Sequence, residues 1–392
     1  MKKIDKSNTK FIRNIIISLI ALAIVTFILT VAPNYTRNEI TDKINLIINN
    51  NNVTSVLKKD VFINEKGVIY LSKQDLANFF DAYIYYDEKY DQIITTSDTK
   101  VATLKIDEKS MTVNSVKQNI YSSAIKKDET YYLPFSEMNE VYNIEIEHIE
   151  KTNKVIVTSL NRKLEKADAA KNLSIKWKED NFSRTVDKVK KGEKVVLISE
   201  DEEWAKVRTE NGNIGYVKNK NLANKIVVRD EFKINTKLDS KVSIVWDYYS
   251  EYVSAPNRTN EKIQGINVVS PSFFILERLG KGEIVDNAKR GGQEYIKWAK
   301  QNGYKVWAMF SNDSMIQTTH EILTDYKLRE KTINNIIDLA TKYKVDGINL
   351  DFENMYEADK DYYTRFVAEL YPRLREYGMN LSVDVTAPDR KS

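Results

Sequence analysis

The stretch VDGINLDFEN, residues 345–354, alternates apolar side chains with acidic and amide side chains. Successive residues of a β-strand point to opposite faces, so Asn349, Asp351 and Glu353 share one face and the apolar residues between them share the other. Helical patterns flank the stretch at 327–344 and 361–378. A strand between two amphipathic helices belongs to a buried parallel sheet, in which the apolar row faces the helices. The polar row must then point to the inner face.

Four other stretches have the same strand character: KVSIVWDYYS (241–250), QGINVVSPSFF (264–274), GYKVWAMFS (303–311) and MNLSVDVTAP (379–388). Repeated strand–helix units predict a (β/α)₈ barrel or a doubly wound sheet. Carboxylates inside a barrel are costly unless they are paired or functional, and active sites of barrels lie at the carboxyl ends of strands. Glu353 is nearest that end. The alternative is a solvated strand face in an ordinary sheet.

The segment DGINLDFE, residues 346–353, resembles the fourth-strand signature Asp-x-x-Asp-x-Asp-x-Glu of family 18 glycoside hydrolases, with three of the four acids in place. INVVSPSFF and DFEN also resemble the branch of bacterial spore-cortex and cell-wall N-acetylglucosaminidases. The resemblance covers residues 236–392. It implies a (β/α)₈ barrel that cleaves β-1,4 bonds next to N-acetylglucosamine by substrate-assisted, retaining catalysis. Peptidoglycan is the expected substrate in preference to chitin.

The resemblance also implies roles for the polar row. Glu353 is expected to protonate the leaving oxygen, and Asp351 to hold the substrate acetamide and stabilise the oxazolinium ion. Asp346 lies at an even position and would point to the face opposite to that of Asn349, Asp351 and Glu353. It is expected to play a supporting role. Asn349 departs from the family, which has an Asp there that shares a proton with the middle Asp. We expect the Asn349 amide to donate to Asp351 and keep it anionic. No substrate-binding residue beyond this strand, no cofactor and no metal is predicted.

The chain supplies five of the eight strands that such a barrel needs, and it has no match to the sixth-strand Met-x-Tyr segment or the eighth-strand Trp of the family. We therefore expect a truncated barrel that is inactive in this form. The alternative function is a non-catalytic surface protein that binds the cell wall or carbohydrate through a remnant barrel.

Composition excludes several classes of chemistry. The 392 residues include no Cys, so disulfides, thiolate metal sites and a Cys nucleophile are excluded. The two histidines, His148 and His320, are far apart in sequence, which argues against a zinc site or a His-based triad. A net charge of +4 from 60 basic and 56 acidic residues describes a mixed surface, so no nucleic-acid partner is predicted.

The amino terminus predicts export. A basic flank precedes an uncharged apolar run at 15–32, which predicts a transmembrane helix with the basic end in the cytoplasm and the body outside. Residues 1–35 would form the tail and anchor, and residues 36–58 a linker. The predicted location is the cell membrane, single-pass. The alternative is a cleaved signal peptide and a secreted or wall-bound body.

Two small modules are predicted between the linker and the barrel. Residues 59–162 contain a repeat, because YLSKQDLANFF at 70 and YLPFSEMNEVY at 132 are offset by 62. This α+β module resembles the amino-terminal domain of copper amine oxidases, which implies wall contact but no copper chemistry. Residues 170–228 resemble bacterial Src-homology-3-type barrels, which commonly bind cell-wall peptides. In the alternative reading, Trp204 and Tyr216 are only core and edge aromatics of that barrel.

Overall fold

The computed structural model describes residues 16–26, 43–233, 240–254 and 256–385. The chain divides into two compact units, one formed by Met1–Phe62 with Asn143–Phe232 and the other by Ile63–Tyr142 with Lys233–Ser392. The domain boundaries given above remain predictions.

The predicted transmembrane helix at 15–32 is wrong. Within that segment the structure describes residues 16–26, which are helical. No helix among the described residues is long and apolar enough to cross a membrane. The prediction that the protein is bound to the membrane through these residues is therefore also not supported. The remainder of the segment and the predicted cytoplasmic tail, 1–14, lie outside the described residues.

The strands before the last module are, in chain order, β1 (Asn45–Ile48), β2 (Asn51–Asn52), β3 (Phe62–Ile63), β4 (Ile69–Ser72), β5 (Tyr85–Asp87), β6 (Gln92–Thr96), β7 (Val101–Lys105), β8 (Ser110–Val113), β9 (Val116–Asn119), β10 (Ile125–Lys127), β11 (Thr130–Pro134), β12 (Ile144–Ile149), β13 (Lys154–Ser159), β14 (Leu164–Ala169), β15 (Leu173–Lys176), β16 (Thr185–Val189), β17 (Lys194–Glu200), β18 (Trp204–Arg208), β19 (Ile214–Lys218) and β20 (Leu222–Arg229). The later strands are β21 (Ile244–Asp247), β22 (Val268–Pro271), β23 (Phe274–Leu276), β24 (Ile284–Asp286), β25 (Lys305–Ser311), β26 (Gly347–Asp351) and β27 (Asn380–Val383). The α-helices discussed below are α1 (Lys73–Phe79), α2 (Asn139–Tyr142), α3 (Gly292–Gln301), α4 (Ile316–Thr324), α5 (Tyr326–Tyr343) and α6 (Lys360–Glu376).

The first unit contains two sheets. One has the strand order β12-β13-β1-β2, and the other has the order β16-β15-β19-β18-β17-β14-β20. Small and branched side chains fill the core of the larger sheet, and Trp204 is buried at 7% exposure. Gly215 allows β15 and β19 to approach closely, because a Cβ there would lie 2.4 Å from the Lys176 carbonyl oxygen. The closeness of these strands explains why residue 215 is a glycine.

The amino-terminal part of the second unit carries an antiparallel meander, β5-β6-β7-β8-β9. This meander packs on helices of the last module through an apolar cluster of Tyr85, Ile94 and Tyr326. Beside the cluster, Arg329 forms a buried ion pair with Glu369 at 2.9 Å, and the two side chains are 1% and 3% exposed. The Tyr85 hydroxyl donates to Glu369 at 2.8 Å.

The carboxy-terminal part of the second unit is a parallel sheet. Strands β21, β22, β25, β26 and β27 pair side by side in this order, all parallel. Strand β23 also pairs with β25 and forms a hairpin with β24. The five parallel strands fall within the five stretches expected to be strands. Helices α5 and α6 begin one residue before the helical patterns at 327–344 and 361–378 and end within them, and α3 lies within the helical stretch GGQEYIKWAKQN at 291–302. Helix α4 was not predicted. Parallel pairing brings the carboxyl ends of these strands to one edge.

Candidate active site

Strand β26 separates an apolar face from a polar face. Ile348 and Leu350 are fully buried in the apolar core together with residues of α5 and α6, such as Ile336 and Phe366. Asn349 is also fully buried, but its partners come from strands β21, β22 and β27. Strands β21 and β22 do not pair with β26, so the sheet must curl for their side chains to meet Asn349. The polar row therefore lines a concave inner face.

The Asn349 amide uses its full hydrogen-bonding capacity. Its Oδ1 accepts from Trp246 Nε1 at 2.9 Å and from Ser270 Oγ at 3.0 Å. Its Nδ2 donates to Ser382 Oγ and to Asp384 Oδ1, each at 3.0 Å. An amide has two N–H groups and two lone pairs, so this set satisfies it completely.

The expected hydrogen bond from Asn349 to Asp351 is replaced by these contacts. Asn349 lies directly opposite Ser382 in the parallel register of β26 and β27. Asp351 lies two residues further along the same strand, about 6–7 Å away in strand rise. The amide therefore reaches across to the neighbouring strand rather than along its own.

Asp351 ends strand β26 in an environment that favours its neutral form. Burial raises the pKa of the Asp351 carboxyl above its usual range, and the negative charges of Asp384 and Glu353 raise this pKa further. This raised pKa differs from the expectation that the Asn349 amide keeps the Asp351 carboxylate anionic. A carboxyl group whose proton is held more tightly than usual can exchange that proton during a reaction.

Glu353 follows the strand and is held by its backbone. The Nδ2 of Asn312 donates to the Glu353 carbonyl oxygen at 2.8 Å, and the Oδ1 of Asn312 accepts from the Glu353 N–H at 3.0 Å. Asn312 is fully buried, and its Nδ2 also donates to Thr319 Oγ1 at 2.9 Å. The Glu353 side chain is exposed. The arrangement fixes the backbone of Glu353 and leaves its carboxyl group open to a ligand.

Asp346 lies at the other end of the strand. Its carboxylate accepts from the Val306 N–H at 3.0 Å and from Lys305 Nζ at 3.3 Å, and its own N–H donates to the Val306 carbonyl at 2.8 Å. These bonds join the amino ends of β25 and β26 and set their register. Asp346 is therefore separated from the carboxyl end where Asp351 and Glu353 lie.

A second polar cluster closes the carboxyl end of β21. Asp247, which is 8% exposed, accepts from Arg258 at 3.0 Å and 2.5 Å and from the Tyr295 hydroxyl at 2.5 Å. Burial and this carboxylate raise the pKa of the Tyr295 phenol, so it remains a donor. The cluster ties α3 and the loop after β21 to the sheet.

Among the described residues, no group of three His, Cys, Asp or Glu side chains is placed to hold a metal ion. His320 contacts Asp359, with Nδ1 at 2.8 Å from the carboxylate.

Sequence reasoning missed several residues around the candidate site. Asn312 directly follows a strand, at the same edge as Glu353, but nothing in its local pattern marks it. Ser382 and Asp384 could have been found, because the parity rule applied to NLSVDV puts both on the inner face beside Asn349. The contacts of Trp246 and Ser270 with Asn349 depend on the curl of the sheet, which no local sequence pattern encodes.

Three parts of the chain match known families. Residues 47–157 match the copper amine oxidase N-terminal domain, residues 178–223 the bacterial SH3 domain, and residues 244–392 the glycosyl hydrolases of family 18. The carboxy-terminal segment is thus a family 18 glycosyl hydrolase domain, and the chain carries the two smaller domains before it. The three resemblances drawn from the sequence are confirmed.

Proteins of similar sequence are glycosylases of Bacillus subtilis (strain 168). The putative sporulation-specific glycosylase YdhD is 34% identical over 71 residues, which are 18% of this chain and 17% of YdhD. The uncharacterized glycosylase YvbX is 24% identical over 128 residues, which are 31% of this chain and 36% of YvbX. The matched parts therefore span well under two thirds of either relative.

A solved structure is also similar over part of its length. The spore cortex-lytic enzyme SleL of Bacillus cereus is 17% identical, with a TM-score of 0.31, over 49% of this chain and 48% of that chain.

Proposed function

We propose that the protein is a glycoside hydrolase that cleaves β-1,4 bonds next to N-acetylglucosamine in peptidoglycan or chitin-like polymers. The observation that carries this proposal is the carboxyl end of β26. There an exposed Glu353 with a fixed backbone follows Asp351, whose pKa is raised. The match of residues 244–392 to the family 18 model supports the same chemistry.

Each carboxyl group has a separate task. The acetamido oxygen of the sugar attacks the anomeric carbon, while Glu353 gives its proton to the leaving oxygen. Asp351 accepts a hydrogen bond from the acetamide N–H and stabilises the positive oxazolinium ion. Water then attacks the same carbon and transfers a proton to Glu353, which restores the acid. Two displacements at one carbon retain its configuration.

Peptidoglycan is the favoured substrate. The bacterial SH3 domain and the amine-oxidase-like domain are typical of proteins at the cell wall, and one relative is named a sporulation-specific glycosylase. We place the protein in the cell wall or outside the cell on this basis.

The stereochemistry of the product tests the mechanism. The full-length natural protein is incubated with peptidoglycan glycan strands and, separately, with chito-oligosaccharides, and proton NMR follows the anomeric signals of the first product. We expect the β-anomer first, and faster release from peptidoglycan. An α-anomer formed first would contradict substrate-assisted catalysis, and faster release from chito-oligosaccharides would contradict the preferred substrate.

A further inference from the structure

The amide at position 349 removes a carboxylate from the strand that carries the candidate catalytic acids. Asn349 is fully buried, and its four hydrogen bonds hold it in one orientation. It has no proton to share with Asp351. If Asp351 needs a carboxyl partner, that partner must come from another element.

Strand β27 supplies a carboxylate at the required place. Leu350 lies opposite Val383 in the parallel register, and the Asp384 N–H donates to the Leu350 carbonyl at 2.9 Å. The pairing therefore continues one residue beyond β27, which sets Asp384 alongside Asp351. Asp384 has the same parity as Ser382, which contacts Asn349, so both point to the inner face.

We propose that Asp384 is a positioning residue for Asp351, and that the two carboxyl groups on adjacent strands share one proton. This deepens the proposed function and rests on it. In the family 18 signature both carboxyl groups of this pair lie on the same strand. In this chain one would lie on β26 and the other directly after β27.

The neighbouring groups determine how the proton is shared. Two close carboxyl groups in a partly buried site do not ionise independently. The Asn349 N–H donates to Asp384, while burial and the charges of Asp384 and Glu353 raise the pKa of Asp351. The charges of the pair also act on Tyr363 of α6. Burial and the charges of both aspartates raise the pKa of its phenol, so its O–H stays protonated.

The shared proton gives Asp351 two states within one turnover. Before the reaction the proton lies on Asp351. When the acetamide N–H of the substrate donates to Asp351, the proton passes from the Asp351 oxygen to the Asp384 oxygen, and the pair keeps its single negative charge. Asp351 thereby becomes the anionic acceptor without releasing a proton to solvent.

Carboxyl titration by carbon NMR tests the proposal without requiring catalysis. The side-chain carboxyl signals of aspartate are followed against pH in the wild type and in Asp384→Asn. We expect the pKa of Asp351 to fall in Asp384→Asn by more than in the control Asp338→Asn, whose aspartate is exposed on α5. An unchanged Asp351 pKa would overturn the proposal.

A second variant moves the carboxylate back onto β26. In Asn349→Asp/Asp384→Asn the amide and the acid exchange places, so the pKa of Asp351 should rise again and kcat should recover at least about 10-fold over Asp384→Asn. The single Asp384→Asn change should lower kcat on the order of 10²-fold. If the double variant behaves like Asp384→Asn in both measurements, the shared proton is excluded. If the wild type hydrolyses its substrate but the Asp351 pKa does not depend on Asp384, only the shared proton is refuted. If the Asp351 pKa depends on Asp384 but the wild type does not hydrolyse the substrate, only the proposed function is refuted.

Discussion

The position of the candidate general acid depends on a single buried amide. Asn312 contacts both the N–H and the C=O of Glu353, and it is itself held by Thr319. The Glu353 side chain has a long contact with Ser314, 3.5 Å between oxygens. The backbone contacts therefore do most of the positioning.

We predict that Asn312→Ala lowers kcat on the order of 10²-fold with a smaller effect on KM, because the displaced acid no longer meets the leaving oxygen. The unpaired Glu353 backbone groups should also cost about 1–3 kcal/mol of folding free energy. Steady-state kinetics and urea unfolding measure the two effects. Asn312→Asp is the matched variant, since it keeps the acceptor for the Glu353 N–H and should lose less activity. Equal kcat in all three proteins would contradict the role of Asn312.

Parity predicted the polar row of β26 from the sequence because it requires only the period of a strand. It could not give the partners of Asn349, which come from three other strands. The expectation that Asn349 bonds to Asp351 was wrong for this reason: residues two apart on a strand are further apart than residues opposite each other on neighbouring strands. The same alternation rule could have placed Asp384 on the inner face.

Helix α5, which precedes β26, begins at a charged cap. Asp325 accepts from the Leu328 N–H at 3.0 Å, and its other oxygen accepts from Lys89 at 2.6 Å and from Tyr90 at 2.8 Å. Burial acts against the charge, but these hydrogen bonds outweigh it and lower the pKa of Asp325 to about 2. The cap thus also joins the β5–β9 meander to the last module.

We predict that Asp325→Ala destabilises the second unit by about 1 kcal/mol at neutral pH through loss of the cap. Asp325→Asn keeps a cap acceptor and should lose less. Because the folded pKa is below the ordinary 3.8, the stabilisation by charge is complete above pH 3.8 and is lost as the pH falls towards 2. Urea unfolding at several pH values measures this. A difference between wild type and Asp325→Asn that persists below pH 2 would contradict the assigned cause.

At the scale of elements, hydrophobic periodicity predicted the five strands and three long helices of the last module. It missed α4, which has nine residues and no side-chain hydrogen bond at its amino-terminal cap. The apolar run near the amino terminus predicted a transmembrane helix, but no helix of the described part of the chain is long and apolar enough to cross a membrane.

The second unit is assembled from two parts of the chain that are distant in sequence. Tyr85 and Glu369 are 284 residues apart, yet their side chains meet at a buried ion pair with Arg329. No local pattern predicts such a contact. The sequence predicted separate modules, whereas this packing joins part of the amine-oxidase-like domain to the helices of the hydrolase domain.

We predict that Arg329→Met destabilises the second unit by about 3–5 kcal/mol, because it leaves the Glu369 carboxylate buried without its cation. The double variant Arg329→Met/Glu369→Leu removes both charges and should be more stable than the single variant. Lys331→Met is the control, since its pair with Glu283 is 45% and 54% exposed and should contribute at most about 1 kcal/mol. Urea unfolding followed by circular dichroism gives the three values. A single variant as stable as the control would contradict the account.

The central claim is that Glu353 is the general acid of a wall-directed glycosidase. Its most direct test is the release of reducing ends from purified peptidoglycan by the full-length natural protein, by Glu353→Gln and by Glu357→Gln, whose side chain is exposed after the strand. We expect hydrolysis by the wild type and by Glu357→Gln, and a loss of about 10²–10⁴-fold in kcat for Glu353→Gln. No hydrolysis by the wild type, or equal rates for the wild type and Glu353→Gln, would contradict the claim.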